Sequence, residues 1–585
     1  MYMHSLFPKT LREDPGLQSS AGTRWLLRGG FIEQLASGIW IMSPWGLLVR
    51  RRIEAVIRAA MQELGGLELE LPILQPVELW ELSGRAETYR QAGLAFRVRD
   101  RKQQDYFLAP TAEEVVTRFA GRHLRSWRDL PALFWQMGPK FRDELRPRQG
   151  LIRGREFLMK DAYSFDADRA AMQATFARVA KAYEAIFTRL GFDFLQVEAD
   201  SGTIGGSGSV EFMALTPTGE DTLLRCAACG YGGNQEKARA WFEPVSAAAA
   251  ALEAVLTPEA RTVEDVARQL GTEPAAIAKT LFLQADGDPV GVVLRGDLSL
   301  NLVKLERLLG AKELVLADAA SVEALTGIAP GFVGPVGLVE RADIRWLFDQ
   351  SLQGLASWIC GANRVGWHVR NVVAGRDLPV AEYVDIASAE AGLHCGQCHT
   401  GQLEVHHGVE LGHVFQLQQT YSERMGARFA TPEGKQEACW MGCYGLGVSR
   451  MVQALAEQHH DARGLIWPLA AAPAQIAIIP VKLERHGAAA RDLYTRLQAA
   501  GWQVILEDRD ARLGEKLTDA ELLGFPVQVL LGKAWDERHE LEVRWRDTRS
   551  WDPARFARIK PDALPQAMMQ EAELIKWLEA VNSER

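Results

Sequence analysis

The sequence predicts a multidomain α/β protein: an α+β core, an α/β insert within it, and a small C-terminal α/β domain. Three observations predict it. The chain has 585 residues, too many for one core and enough for about three to five domains. Its texture changes near residue 235 and changes back near 400. Its final stretch, 474–585, alternates strand and helix patterns. The expected boundaries are 1–230 for the first part of the core, 231–390 for the insert, 391–472 for the second part of the core and 473–585 for the C-terminal domain.

Arg50–Leu64 and Asp168–Leu190 carry apolar residues at helical spacing. Between them, Lys140–Lys160 (KFRDELRPRQGLIRGREFLMK) holds seven Lys or Arg among 21 residues, although the whole chain has a net charge of −9. Phe141–Glu144 reads as strand, Pro147, Gln149 and Gly150 as a turn, and Arg155–Met159 as the returning strand. A charge run is ordinarily a solvated face. Here acids and apolar residues are interleaved, and a hairpin with Arg on both strands suits an anionic ligand, because the guanidinium fork binds phosphate or carboxylate in two places. Gly202–Gly208 lacks the GxxxxGK[ST] pattern of a phosphate-binding loop and reads as a tight turn. Ser246–Ala251 (SAAAAA) reads as a linker or helix start.

In the insert, KTLFLQA and GVVLRG read as strands and TVEDVARQL as an acidic helix. The first texture resumes with GVELGHVFQLQQTYSE. After 474 the order is strand QIAIIPV, helix AARDLYTRLQAAG, strand QVILED, helix EKLTDAELLG and strand VQVLLG, which predicts a mainly parallel sheet.

The N-terminus has no apolar core of signal-peptide type and no run reaches membrane-span length, so a soluble, cytoplasmic protein is expected. Seven cysteines is a low, odd count that argues against a disulfide framework. A pI near 5.9 argues against indiscriminate coating of nucleic acid, but leaves room for an RNA partner met by a local basic face. Cys226-x-x-Cys229 and Cys395-x-x-Cys398 bracket the insert. Two such units can form a tetrahedral zinc site, although their separation is far beyond a contiguous zinc ribbon, and buried free thiols are the plainer alternative. His394 and His399 are adjacent spare ligands. Cys360, Cys439 and Cys443 read as structural.

Seven segments in order (LASGIWIMSPWG, LPILQPVELWELSGR, LAPTAEEVVT, KFRDELRPRQGLIRGREFLMKDAYSF, ELGHVFQLQQTYS, MGCYGLGVSR and RGLIWP) resemble the class II aminoacyl-tRNA synthetases. The resemblance is nearer to the bacterial prolyl-tRNA synthetases of the long type, which carry an inserted editing domain, and it covers nearly the whole chain. It implies a class II antiparallel catalytic sheet flanked by helices, an α/β editing insert and an α/β anticodon-binding domain. It also implies proline, ATP with Mg²⁺, and proline tRNA as partners, and a homodimer through the segment around Pro72.

Residue by residue, the resemblance places Arg142 on the α-phosphate and towards the amino-acid carboxylate. Glu144 falls at the adenine end, and Phe157 stacks on the ring. Arg450 takes the other adenine face and the γ-phosphate. Gln416 and Thr420 hold the ribose and adenine, and Glu410 is an indirect Mg²⁺ ligand. Thr111 and Glu113 take the secondary ammonium of proline, for which a Glu beside a hydroxyl is suited, and His413 lines the proline pocket. Taken singly, Arg450 fits a helix surface and Phe157 a core. Two departures from the pattern, Ala112 and Val210, imply altered side packing only.

A pocket sized for proline rejects alanine weakly, since one or two missing methylenes are worth only about 1–3 kcal/mol. The insert carries the pieces of an editing site by resemblance: Lys279, the loop with Gly331, Gly334 and Pro335, and Asn363 with His368. In the C-terminal domain Asp508 and Arg509 are the candidates for guanine edges, and Arg512 and Lys516 for phosphate. The rival readings are a sister class II synthetase, or a non-catalytic tRNA-binding or editing-only paralogue, which should lack Arg142 and Arg450.

Overall fold

The computed structural model describes residues 1–13, 16, 20–199, 208–245, 250–311, 313–380, 382–546 and 566–583. Most of the glycine run (202–207) and of the alanine run (246–249) lie outside the described residues. The chain forms two compact units. One comprises Met1–Leu195, Ser201–Glu220 and Gly408–Arg585, the other Gln196–Asp200 and Asp221–His407.

The first unit is built on a hairpin at the basic stretch, but its first strand is displaced from the expected Phe141–Glu144. Only Phe141 belongs to it, and Arg142, Asp143, Glu144 and Arg155 lie in the connection, so the arginines flank the strands rather than ride on them. Strand Ala132–Phe141 pairs antiparallel with Glu156–Asp166, from Ala132↔Phe165 to Phe141↔Glu156. Trp440–Leu446 adds antiparallel to Glu156–Asp166, then Leu403–Gln418 to Trp440–Leu446 and Gly208–Leu215 to Leu403–Gln418. This is the predicted antiparallel sheet. Helix Pro44–Glu63 sends Val49, Ile53, Ile57 and Met61, one residue per turn, into the core that also holds Trp135 and Ala162 of this sheet. The helix starts six residues before the predicted Arg50. Ser43 caps Gly46 N, and Pro44 is tolerated at N1 because that N–H has no helical partner, a start signal the apolar period alone passes over. Helix Arg169–Leu190, capped by Asp168, ends at Gly191 with φ +82.

In the C-terminal part, Val504–Leu506, Ile476–Pro480 and Val527–Leu531 run parallel, and Leu541–Trp545 joins antiparallel. Ile476 and Ile478 pack into a core of their own, while Ala477 and Ile479 face the main core. Burial on both faces explains why these strands read as continuous apolar runs.

The second unit holds a five-stranded sheet in the order Leu314–Leu316, Ala278–Ala285, Asp288–Arg295, Arg345–Asp349, Tyr383–Val384. A two-residue turn at Asp286 and Gly287, both at positive φ, joins its central hairpin. Glu253–Leu256, Trp367–Val372 and Trp358–Gly361 form a smaller sheet. The chain leaves the first unit after Glu220 and re-enters at Gly408. There Gly219 and Gly408 touch so closely that a Cβ on Gly219 would lie 2.3 Å from Gly408 N.

Candidate functional site

Thr111 and Glu113 sit at the start of helix Glu113–His123. Thr111 Oγ1 donates to Glu113 Oε2 at 2.6 Å, and Arg85 Nη1 donates to the same oxygen at 3.1 Å. Cys443 Sγ donates to Oε1 at 3.2 Å. Arg85 also reaches Glu114 Oε1 at 3.1 Å and Tyr89 Oη at 2.5 Å, and its guanidinium carbon lies 5.1 Å from the Trp80 ring and 5.4 Å from that of Tyr421. Both carboxylates are fully buried. Burial pushes both carboxyls up. At Glu113, Arg85 and the donors from Thr111 and Cys443 outweigh it and hold the group below the ordinary range. Glu114, facing the same cation and its charged neighbour, stays above. One carboxylate is thereby held ionised beside the other. Ala112, the first departure from the family pattern, is buried and its N–H donates to Tyr163 Oη at 3.1 Å.

Arg142 lies just past the end of its strand, its guanidinium carbon 5.2 Å from the centre of the Phe157 ring on the returning strand. It makes no ion pair among the described residues, whereas Arg153 pairs with Glu144 at 2.8 Å and Arg148 with Glu220 at 2.6 Å. Arg450, on helix Val448–Gln458, donates to Glu410 Oε2 at 3.0 Å, to Glu410 O at 2.8 Å and to Ile152 O at 2.9 Å. Burial would raise Glu410, but Arg450, His413 and Arg142 hold it below the ordinary range. In the pairing with Gly208–Leu215 the register skips Leu411, and this irregularity brings Glu410 Oε1 to 3.8 Å from His413 Nδ1. His413 also lies 3.4 Å from Glu211 and stacks on Phe415 at 3.8 Å. Gln416 is half-buried on the same strand, and Thr420 is exposed at the start of helix Thr420–Met425.

The structure adds residues that the sequence reading passed over. Arg85 and Tyr89 complete the Glu113 cluster, and Arg85 closes the quoted segment LPILQPVELWELSGR, so a signal was there. Cys443, read as structural, donates to Glu113. Gln453 stands one turn beyond Arg450. It donates to Gln149 O at 2.9 Å and accepts from Leu151 N at 2.5 Å, so the two side chains clamp the backbone of the 149–152 turn.

In the second unit a cavity of about 370 Å³ is lined by Lys279, Gly331 and His368, with Arg261, Thr280 and Phe282 among the other walls. His368 is buried, its Nδ1 2.7 Å from Thr257 Oγ1. Burial lowers its pKa, against a hydrogen bond to Gly331, and favours the neutral imidazole. Lys279 donates to Gly296 O at 2.9 Å. Gly334, Pro335 and Asn363 are not among the lining residues, although Gly334 abuts Gly361, which is. Asn363 Oδ1 accepts from Gly334 N at 2.8 Å, and a Cβ on Gly334 would lie 2.0 Å from Gly361 O.

The four cysteines of the CxxC pairs converge, with all four sulfurs within 4.8 Å of one another. Cys226 and Cys398 are 3.7 Å apart, and Cys229 and Cys395 are 3.8 Å apart. A tetrahedron of thiolates about 2.3 Å from a zinc ion has edges of about 3.8 Å. Backbone N–H groups of Gln397 and Gly401 donate to Cys395 and Cys398 at 3.3 and 3.4 Å. Of the spare imidazoles, His399 stacks on Trp241 at 4.7 Å.

At the C-terminal sheet the expected RNA-reading residues are mostly engaged. Asp508 pairs with His4, and Arg509 with Glu507 and Asp519. Lys516, expected on a phosphate, is buried and donates to Pro480 O at 3.1 Å. Its position on helix Leu513–Leu523 turns it inward, a helical-phase effect. Arg512 is exposed.

Residues 96–459 match the family described as tRNA synthetase class II core domain (G, H, P, S and T), and residues 475–568 match the anticodon binding domain family. A proline–tRNA ligase of Geobacter sp. (strain M21) is 43% identical over 544 residues, 92% of this chain and 94% of the relative. That of Nitratidesulfovibrio vulgaris (strain DP4) is 45% identical over 540 residues, 92% and 93%. That of Moorella thermoacetica is 43% identical over 557 residues, 94% and 96%. The fold is shared with prolyl-tRNA synthetase from Cryptosporidium parvum, solved with halofuginone and AMPPNP, at TM-score 0.55 and 14% identity over 96% of this chain and 76% of that one. Among the described residues no helix is long and apolar enough to cross a membrane.

Proposed function

The chain belongs to the class II aminoacyl-tRNA synthetases, in the proline–tRNA ligase family, and from that premise we propose how its residues divide the work. The reaction joins the proline carboxylate to the α-phosphate of ATP, releases pyrophosphate, and passes the prolyl group to tRNA. The carboxylate is already a nucleophile, so the protein supplies position and positive charge rather than a base.

Arg142 neutralises the α-phosphate and steers the proline carboxylate. The observation that carries this reading is its guanidinium poised at Phe157 with no ion pair among the described residues, beside arginines that are paired. Phe157 stacks on adenine, Glu144 meets the adenine end, Arg450 takes the other face and the γ-phosphate, and Gln416 and Thr420 hold the ribose side. Glu410 carries an ionised carboxyl that suits a role, through water, in holding the Mg²⁺ that ATP brings. Thr111 and Glu113 bind the secondary ammonium of proline, and His413 walls the ring.

The insert hydrolyses alanyl-tRNA formed in error, with Lys279 and His368 in its cavity meeting the aminoacylated end and Gly331, Gly334, Pro335 and Asn363 shaping the wall. The sulfur spacing of Cys226, Cys229, Cys395 and Cys398 supports a structural Zn²⁺. Asp508, Arg509 and Arg512 contact the anticodon, with Arg512 the exposed member. Leu67, Ile73 and Leu74 near Pro72 are exposed apolar side chains, which supports a homodimer there.

Proline-dependent ATP–pyrophosphate exchange, run also with alanine, threonine and glycine, tests the activation half. Strong exchange with proline, weak exchange with alanine and none in Arg142→Ala is the expected pattern. Exchange with threonine or glycine instead, or a fully active Arg142→Ala, would overturn it. Loss of alanyl-tRNA hydrolysis in His368→Ala tests the editing half.

A further inference from the structure

We propose that the four-cysteine site is a clasp: one thiophilic divalent cation of the Zn²⁺ kind ties the entering and leaving segments of the insert together and braces the sheet that walls the editing cavity. Proofreading then depends on the metal and proline activation does not. The proposal rests on the zinc and editing readings above.

Two of the four ligands lie on each segment. Cys226 ends strand Asp221–Cys226, just after the chain enters the second unit, and Cys395 and Cys398 lie shortly before it leaves. Beyond the sulfurs these segments are joined where strand Asp221–Cys226 pairs with strand Leu403–Gln418, by the two-residue pairing Ala240↔Cys395 and Trp241↔His394, and by Gly396 N donating to Arg239 O at 3.0 Å. Two side chains at the start of helix Leu302–Leu309 also bridge them. Asn301 donates to Gln235 O at 3.3 Å while its own N–H reaches Ile386 O at 2.8 Å. Lys304 donates to Ala238 O at 2.7 Å and to Ala387 O at 3.0 Å.

Cys226 and Cys395 are members of one apolar core with Leu283, Val290, Val292 and Leu294 of the five-stranded sheet. Along strand Ala278–Ala285, Leu283 packs into that core and its neighbour Phe282 lines the cavity. Successive side chains of a strand face opposite sides. Lys279 and Leu281, on the Leu283 face, line the cavity too, and Leu281 also packs on the metal-side core, so the strand that walls the cavity is itself seated on that core. Without the cation, four close thiols replace a rigid tetrahedron, and that core loses its anchor.

The test uses the full chain. Metal content is measured first. Hydrogen–deuterium exchange of peptides covering Ala278–Ala285 and Asp288–Arg295, alanyl-tRNA hydrolysis and proline-dependent pyrophosphate exchange are then followed with the metal present, after chelation, and after Zn²⁺ is restored. The expected result is one zinc per chain. On chelation, protection of those strands should fall at least tenfold and hydrolysis should fall in parallel, with proline activation within twofold, and Zn²⁺ should restore both. Cys229→His, which keeps four ligands, should behave as wild type, whereas Cys229→Ser should resemble the chelated enzyme. A chain that holds no zinc overturns the zinc reading and the clasp with it. A zinc-bound chain whose strands stay protected after chelation overturns the clasp alone, as does simultaneous loss of proline activation.

Discussion

Replacing Arg85 with Met removes the one cation that Glu113 and Glu114 share, at 3.1 Å from each, while the apolar stem keeps its place among Trp80, Tyr89 and Tyr421. At an effective dielectric near 20, each 3.1 Å contact carries about 5 kcal/mol of attraction before the cost of taking the ions out of water. Stranding a buried charge by deleting its partner costs about 3–5 kcal/mol, and here two carboxylates are stranded. Part of the cost appears as proton uptake. Glu113 loses the group that holds it ionised, so at neutral pH it attracts the proline ammonium less. The assays are urea unfolding and the proline KM in pyrophosphate exchange. The expected outcome is an unfolding free energy lower by about 3–5 kcal/mol and a KM raised by about ten- to a hundredfold, the loss of one charge-assisted hydrogen bond. Adding Glu114→Gln removes one of the stranded carboxylates and should return about 1–3 kcal/mol of stability. If Arg85→Met matches wild type in stability, or the double variant is no more stable than the single, the reasoning fails.

Gln453→Ala should loosen the 149–152 turn and raise the KM for ATP about tenfold, with kcat changed less; equal falls in kcat and kcat/KM would instead mark a transition-state contact. Lys160 is fully buried, and burial lowers its ammonium to about 7 despite Asp161. Between that value and the ordinary lysine pKa the unfolded chain binds the extra proton, so Lys160 makes wild-type stability rise with pH by up to about 1.4 kcal/mol per unit from pH 7 to 10. Urea midpoints of wild type minus Lys160→Met, taken at pH 7 and 9.5, should show that rise, and a flat difference refutes it. Gly334→Ala drives a methyl into Gly361 O and should abolish alanyl-tRNA hydrolysis while proline-dependent exchange persists; intact hydrolysis would mean the wall can give way.

The turn and the start of the returning strand of the Ala132–Asp166 hairpin were legible because they are local in sequence, while its first strand was legible only at Phe141; the CxxC pairs were legible because their spacing is a signature in itself. The Glu113 cluster was legible only in part. Its members come from positions 85, 89, 111, 113, 114 and 443, and nothing in the sequence says that Cys443 faces Glu113 across 330 residues. Glu410 reaches His413 through an irregular register with a neighbouring strand, which no periodicity reports. Lys516 lies where charge alone would not put it. Charge suggested the surface, but helical phase points its ammonium at the Pro480 carbonyl. Long-range partners and strand registers are properties of the packed sheet, not of any segment.

The insert that opens after Glu220 and closes before Gly408 separates in sequence strands that are neighbours in the first unit's sheet. Strand Glu156–Asp166 is synthesised early, but its sheet neighbour Trp440–Leu446 lies beyond the whole insert. At about 5–20 residues per second, a ribosome spends roughly 15–55 s on the 273 residues between the two strands. For that time the nascent chain carries an open strand edge, a template for pairing with other chains. The insert, by contrast, can close on itself as soon as its last cysteine emerges. Nascent chains stalled just before and just after residue 446 should therefore differ sharply in protease resistance of the first 220 residues.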